Sequence, residues 1–173
     1  MTSIIKVDEI QKTDGSGFGF GKVLQVKQAR KTDTFSTSSQ SFVDVTDLSV
    51  TLTPSSSSSK FLVTCALTVG NNWWTSAGGF FGVSRNGTNI GGNSSTAIGD
   101  YWWIQFGADS GNAPYEQLLW PEEILDEPAT TSDVTYKVQL ASRYSSYPMY
   151  VNRAAAATTR RGSSWITVRE IAG

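Results

Sequence analysis

Five carboxylates fall within one short stretch: Glu116, Glu122, Glu123, Asp126 and Glu127. Two carboxyl groups at the right separation cleave glycosidic bonds, one as acid and the other as base or nucleophile, and a looser oxygen set binds calcium. The setting favours neither chemistry. No Asp/Asn/Gly-spaced loop accompanies the acids, and Pro121 and Pro128 mark a solvated loop. Histidine is absent, which removes imidazole acid–base chemistry, His-assisted nucleophiles and imidazole metal ligands together. Cys65 is the single cysteine, so neither an intrachain disulfide nor a thiolate metal cluster can be built. Its apolar, alternating surroundings read as those of a buried, inert thiol. The chain is read as non-enzymatic, with no metal and no cofactor.

Binding is the better-supplied chemistry. Trp73-Trp74 and Tyr101-Trp102-Trp103 offer flat rings that stack on sugar faces, with Asn71, Asn72, Asn93 and Asp100 nearby as hydrogen-bonding groups. Neighbouring residues of a strand point to opposite faces, so one ring of each pair is expected in the core and its neighbour outside, against a subunit interface or a host-surface glycan. Arg153, Arg160 and Arg161 bracket a small-residue loop near the C-terminus. Charge is segregated: residues 100–133 carry eight acids and no base, and residues 134–173 carry six bases and one acid. Glu122 and Glu123 are therefore expected to pair with Arg153, Arg160 and Arg161 of an adjacent copy, setting orientation more than strength. The formal net charge of −1 gives no general attraction to nucleic acid or anionic membrane, and no apolar run approaches a membrane span. Asn86-Gly87-Thr88 and Asn93-Ser94-Ser95 match the glycosylation pattern but read as turn residues in a bacterial product.

The elements that must hold these groups are strands. Serine and threonine number 23 and 19 in 173 residues, with 16 glycines; β-strands joined by polar turns have this composition, and long helices do not. Two-residue alternation predicts strands at 22–29, 40–46, 48–53, 60–69, 79–85, 88–90, 101–106, 135–141, 149–152 and 165–171. Phe61, Val63, Cys65, Leu67 and Val69 share one face, as do Tyr136, Val138 and Leu140. Asn86-Gly87 is the strongest two-residue hairpin signal available. Residues 107–127 and 154–161 give the weakest pattern, and Ala154-Ala155-Ala156-Ala157 reads as a loop between the last two strands in preference to one helical turn. Short, regularly spaced strands predict an all-β fold of two antiparallel sheets packed as a sandwich.

Residues 1–21 stand apart from this domain, which spans 22–173. Ile4, Ile5, Val7 and Ile10 form a β-prone segment, and Phe18 and Phe20 alternate with glycine over Gly15–Gly21. The glycines lack the Lys-Ser/Thr ending of a phosphate loop. Phenylalanines so placed are expected to dock on another chain, making an extended anchoring arm that reaches about 65–70 Å when fully stretched. The start, Met1–Glu9, has no apolar stretch of signal-peptide length, so the protein is expected to be made and folded in a cytoplasm.

The order of segments resembles one family. Ser3-Ile4-Ile5-Lys6-Val7-Asp8-Glu9-Ile10-Gln11 is similar to the N-terminus of marine-phage virion structural and tail-fibre-like proteins. Further similar segments are Thr32-Asp33-Thr34-Phe35-Ser36, Phe42-Val43-Asp44-Val45-Thr46 and the run from Leu48 through Pro54 and five serines to Lys60-Phe61-Leu62-Val63. Pro128-Ala129-Thr130-Thr131-Ser132, Tyr136-Lys137-Val138-Gln139, Tyr150-Val151-Asn152-Arg153 and Ile166–Gly173 complete the set. The likeness covers 3–11, 32–69 and 128–173 and is absent over about 70–127. These motifs mark strands and turns rather than chemistry. The resemblance implies a sandwich of jelly-roll type, a homotrimer, carried on the capsid or tail at the virion surface after synthesis in the bacterial host cytoplasm. The implied partners are other copies and a capsid or tail protein held by the arm. The alternative is a fibre tip that recognises host-surface glycan through the tryptophans.

Overall fold

A computed structural model of the chain describes residues 21–71, 78–91, 102–105, 118–156, 159 and 161–173, with the backbone alone at 102–105, 118 and 120. Among the described residues every regular element is a strand. They are β1 (Val23–Lys31), β2 (Phe35–Thr37), β3 (Val43–Leu52), β4 (Lys60–Asn71), β5 (Gly78–Arg85), β6 (Thr88–Asn89), β7 (Trp102–Gln105), β8 (Leu118–Asp126), β9 (Val134–Ser142), β10 (Met149–Val151) and β11 (Ser164–Ile171).

These strands form two antiparallel sheets. β10 and β11 follow one another along the same flank of β4, from Met149↔Asn71 to Ile171↔Lys60. β1 and β2 likewise follow one another along β11 and β10. The first sheet thus has four lanes: β1/β2, β10/β11, β4 and β8. The second runs β3, β9, β5, with β6 and β7 sharing the free flank of β5. Side chains alternate across each sheet, and the inward sets meet as one core. Phe61, Val63, Leu67 and Val69 of β4 face Tyr136, Val138 and Leu140 of β9, all fully buried. The rings of Phe61 and Tyr136 meet across the gap at 5.9 Å. The all-β sandwich read from the sequence is the observed fold.

Three local readings need correction. The stretch around Pro121 is no loop: Leu118–Asp126 is a nine-residue strand paired along β4 from Phe61↔Asp126 to Val69↔Leu118. Among the described residues it forms an edge lane, with β4 as its one ladder partner, and a proline and charged side chains are tolerated there. Phe35–Thr37 is a further strand, too short to show a period. The separate strands expected at 40–46 and 48–53 are one strand, β3. Its register passes from Asp44↔Gln139 to Ser49↔Lys137, which leaves a four-residue bulge with Asp47 in the left-handed region at φ 66°. The bulge flips the alternation, so that Val45 and Leu48 are both buried. Beneath it lies the ammonium of Lys31, its side chain wholly buried, 2.9 Å from Thr46 Oγ1, 3.2 Å from Asp47 Oδ2 and 2.8 Å from Asp33 Oδ1.

The Asn86-Gly87 turn joins β5 to β6 as expected. Both residues have positive φ, 49° and 86°, the requirement of the hairpin turn whose twist matches the strands it joins. A different device fills the gap between β10 and β11, where Asn152 is fully buried with φ 60°. Gly162 closes this seam against the side chain of Thr68, leaving no room for a Cβ.

Candidate functional site

β8 sorts the acidic cluster by direction. Glu122 and Glu123 are neighbours on a strand and project to opposite faces. Glu123 is exposed on the outside of the first sheet, and Glu122 lies on the inward side, in register with Cys65. Two carboxylates so separated do not flank one scissile bond. Asp126 is buried and already engaged: Arg85 Nη1 lies 2.6 Å from Oδ1, and the Tyr136 hydroxyl donates to Oδ2 at 2.7 Å. Burial first, then the bond to Asp126, drives the Tyr136 phenol far above its ordinary range. Glu127 pairs with Lys60 at 2.6 Å. Among the described residues no group of three or more His, Cys, Asp or Glu side chains is placed to hold a metal ion.

Glu170 on β11 is a carboxylate the sequence did not single out. It is fully buried and accepts from Gln25 Nε2 at 2.6 Å, the Ser55 amide at 2.6 Å and the Ser55 hydroxyl at 3.1 Å. Burial by itself raises its pKa, but these donors outweigh it and hold the group below its ordinary 4.5. Asp33 is lowered chiefly by its bond from Lys31, and Asp44 by bonds from Lys137 and Gln139. Folded values below unfolded ones place the stabilisation above the unfolded pKa, and it is lost as pH falls through the folded one. The thermal midpoint is therefore expected to decline steadily below about pH 4.5. Glu170→Gln should flatten that acid limb while lowering stability at neutral pH by about 1.5–3 kcal/mol. Calorimetry across the acid range checks both; an unchanged limb in the variant would assign the decline to other carboxylates.

The outer face of the first sheet mixes exposed apolar side chains with charged ones. The register aligns three rows across its four lanes: Val26–Arg169–Leu62–Leu125, Gln28–Thr167–Thr64–Glu123 and Arg30–Trp165–Ala66–Pro121. Among the described residues, the exposed large apolar side chains are Val23, Leu24, Val26, Leu119, Leu125 and Tyr144. All but Tyr144 belong to β1 and β8, the two edge lanes of this sheet. Trp165 stands between two depressions. One, of about 490 Å³, lies between it and the Thr64–Ala66, Pro121–Glu123 side; the other is bounded by Gln28, Arg30 and Ser163. By contrast, the outer face of the second sheet is polar where β3 meets β9. Asp44 takes Lys137 and Gln139, each at 2.8 Å, and Thr51 bonds Thr135 at 2.8 Å.

Several residues singled out from the sequence lie outside the described residues: Ile4, Ile5, Val7, Ile10, Phe18 and Phe20 of the arm, Trp73, Trp74 and Tyr101 of the aromatic set, and Arg160. The backbone of Trp102 and Trp103 forms β7, in register with Phe81 and Phe80. Arg153 and Arg161 face each other across an isolated bridge, and the Arg153 guanidinium sits 4.2 Å over the Tyr150 ring. They are thus at the seam between β10 and β11, away from Glu122 and Glu123 of the same chain. Cys65 is buried as read, and burial followed by the nearby Glu122 charge pushes its thiol up to about 12. A thiol reagent at neutral pH is expected to label Cys65 only as fast as the chain opens, and denaturant should release full reactivity. Trp165 went unnoticed because a lone tryptophan in an alternating strand carries no signal of its own.

No helix among the described residues is long and apolar enough to cross a membrane. No family model matches the chain, and no curated protein matches it.

Proposed function

We propose that the chain is a non-enzymatic structural protein of a bacteriophage particle, a homotrimeric surface appendage or capsid decoration held to a capsid or tail protein by residues 1–21. The carrying observation is where the resembling segments fall. Residues 32–69 and 128–173 supply β2, β3, β9, β10, β11 and nearly all of β4, and with them most of the core. The resemblance therefore spans the frame of the domain. The dissimilar stretch supplies β5 to β8, which make two lanes of the second sheet and the β8 lane of the first. Lane order favours the jelly-roll form of the sandwich. Numbered in chain order, the lanes run 1-8-3-6 in one sheet and 2-7-4-5 in the other, the arrangement a long antiparallel strip makes when it wraps on itself. Such a body offers broad sheet faces to neighbours, and an extended arm joins a partner by adding a strand to it.

Deleting residues 1–21 tests the assignment. The shortened chain is expected to remain folded and trimeric in solution and to be lost from particles assembled in its presence. Incorporation of the shortened chain at wild-type levels would refute the anchoring role.

A further inference from the structure

The geometry points to the outer face of the first sheet as the surface on which a second copy of this chain packs, β8 of one copy lying against the Arg30–Trp165–Arg169 half of the next. The inference rests on the trimeric reading above and gives it a specific interface. Composition comes first. Val26, Leu119 and Leu125 are each more than half exposed, at 55%, 53% and 55%, and the face carries two apolar patches, Val26–Leu62–Leu125 and Trp165–Pro121, on either side of the polar row Gln28–Thr167–Thr64–Glu123. Interfaces are enriched in apolar and aromatic residues and arginine, the types these patches and their neighbours carry.

Charge selects the occupant. Arg30 and Arg169 stand on β1 and β11, and Glu123 stands across the face on β8. Glu123 makes no ion pair or hydrogen bond with any described residue. The face is thus basic at one side and acidic at the other. Set head to tail, the β8 half of one copy meets the β1–β11 half of the next, which brings Glu123 against the arginines and Leu119 and Leu125 against Val26, and repetition of that contact closes a ring. Association by the strand edge is less suited, because Pro121 in mid-β8 offers no N–H and the two glutamates beside it resist a paired strand.

Sedimentation velocity and native mass spectrometry of the full-length chain over a dilution series provide the test, with Glu123→Arg, Arg169→Glu and the two combined. Glu123 is exposed, so its reversal leaves the core untouched; circular dichroism verifies folding for all three. Each single reversal is expected to raise the dissociation constant at least about tenfold by setting like charges together, and the combined swap to restore it to within about threefold. Leu125→Ser, which touches no charge, should weaken association as well. Trimers of unchanged affinity in all the variants would overturn this interface while leaving the trimeric reading standing. A wild-type chain that stays monomeric throughout would overturn both. Unchanged trimers that lose retention on a glycan array would make the Trp165 face a ligand platform and overturn the inference.

Discussion

Asn152→Ala is expected to lower the unfolding free energy by about 3–4 kcal/mol. Among the described residues Asn152 closes the break that the β1/β2 and β10/β11 lanes of the first sheet share. Its amide donates to Thr68 O at 2.8 Å, and its carbonyl accepts from Gly162 at 3.1 Å. The side-chain Nδ2 donates to the carbonyls of Lys31 and Asp33, both at 2.9 Å, and Oδ1 accepts from Ser164 Oγ at 2.7 Å. Ser164 Oγ in turn accepts from the Thr68 amide at 3.0 Å. One asparagine therefore ties the end of β1, the end of β10, the start of β11 and the middle of β4. Alanine would delete three side-chain bonds in a site without exposure, at about 1 kcal/mol each. It would also adopt a φ of 60° that asparagine and glycine tolerate better. Asn152→Gly keeps the backbone freedom and should recover part of the loss. Asn152→Asp sets a carboxylate against two carbonyls and should be the most damaging of the three. Urea unfolding reads these differences as midpoint shifts at unchanged slope; a loss under about 1 kcal/mol for alanine would remove Asn152 from this role.

The second large effect concerns Asp126, which joins the edge of the first sheet to two strands of the second. Asp126→Ala is expected to cost about 3 kcal/mol. The cost is unevenly distributed. Arg85 keeps 30% of its side chain exposed and can turn to water, but the Tyr136 hydroxyl is fully buried and would be left without an acceptor. Removing that hydroxyl as well should then help. Tyr136→Phe in the wild type should cost about 1–1.5 kcal/mol, whereas Tyr136→Phe in the Asp126→Ala background should raise stability. A double-mutant cycle measured by denaturant unfolding checks the sign. Two losses that simply add would show that the hydroxyl and the carboxylate are not coupled.

What the sequence disclosed follows from which forces leave a periodic trace. β4 and β9 bury one face entirely, so their alternation holds over most of their length and both strands were legible. The bulge in β3 also left a trace, since the apolar phase shifts between Val45 and Leu48; it suggested two strands because a turn and a bulge break the period in the same way. β8 left none. Its acids and Pro121 suit an open sheet edge, but the same composition suits a loop, and only the pairing with β4 decides between them. Lys31, Asn152, Asp126 and Glu170 were illegible for another reason. Each is buried because of partners distant in sequence, and a polar residue's type does not reveal whether such partners exist. The candidate face was half visible: the charge segregation could be read, but the rows that set Arg30, Trp165 and Glu123 on one surface depend on register across four lanes.

For the proposed virion role, the most direct measurement is quantitative mass spectrometry of purified phage particles, reading the copies of this chain relative to the major capsid protein. A virion protein that trimerises through its sheet face should persist through purification at a copy number divisible by three. Peptides abundant in the lysate but missing from washed particles would contradict the assignment.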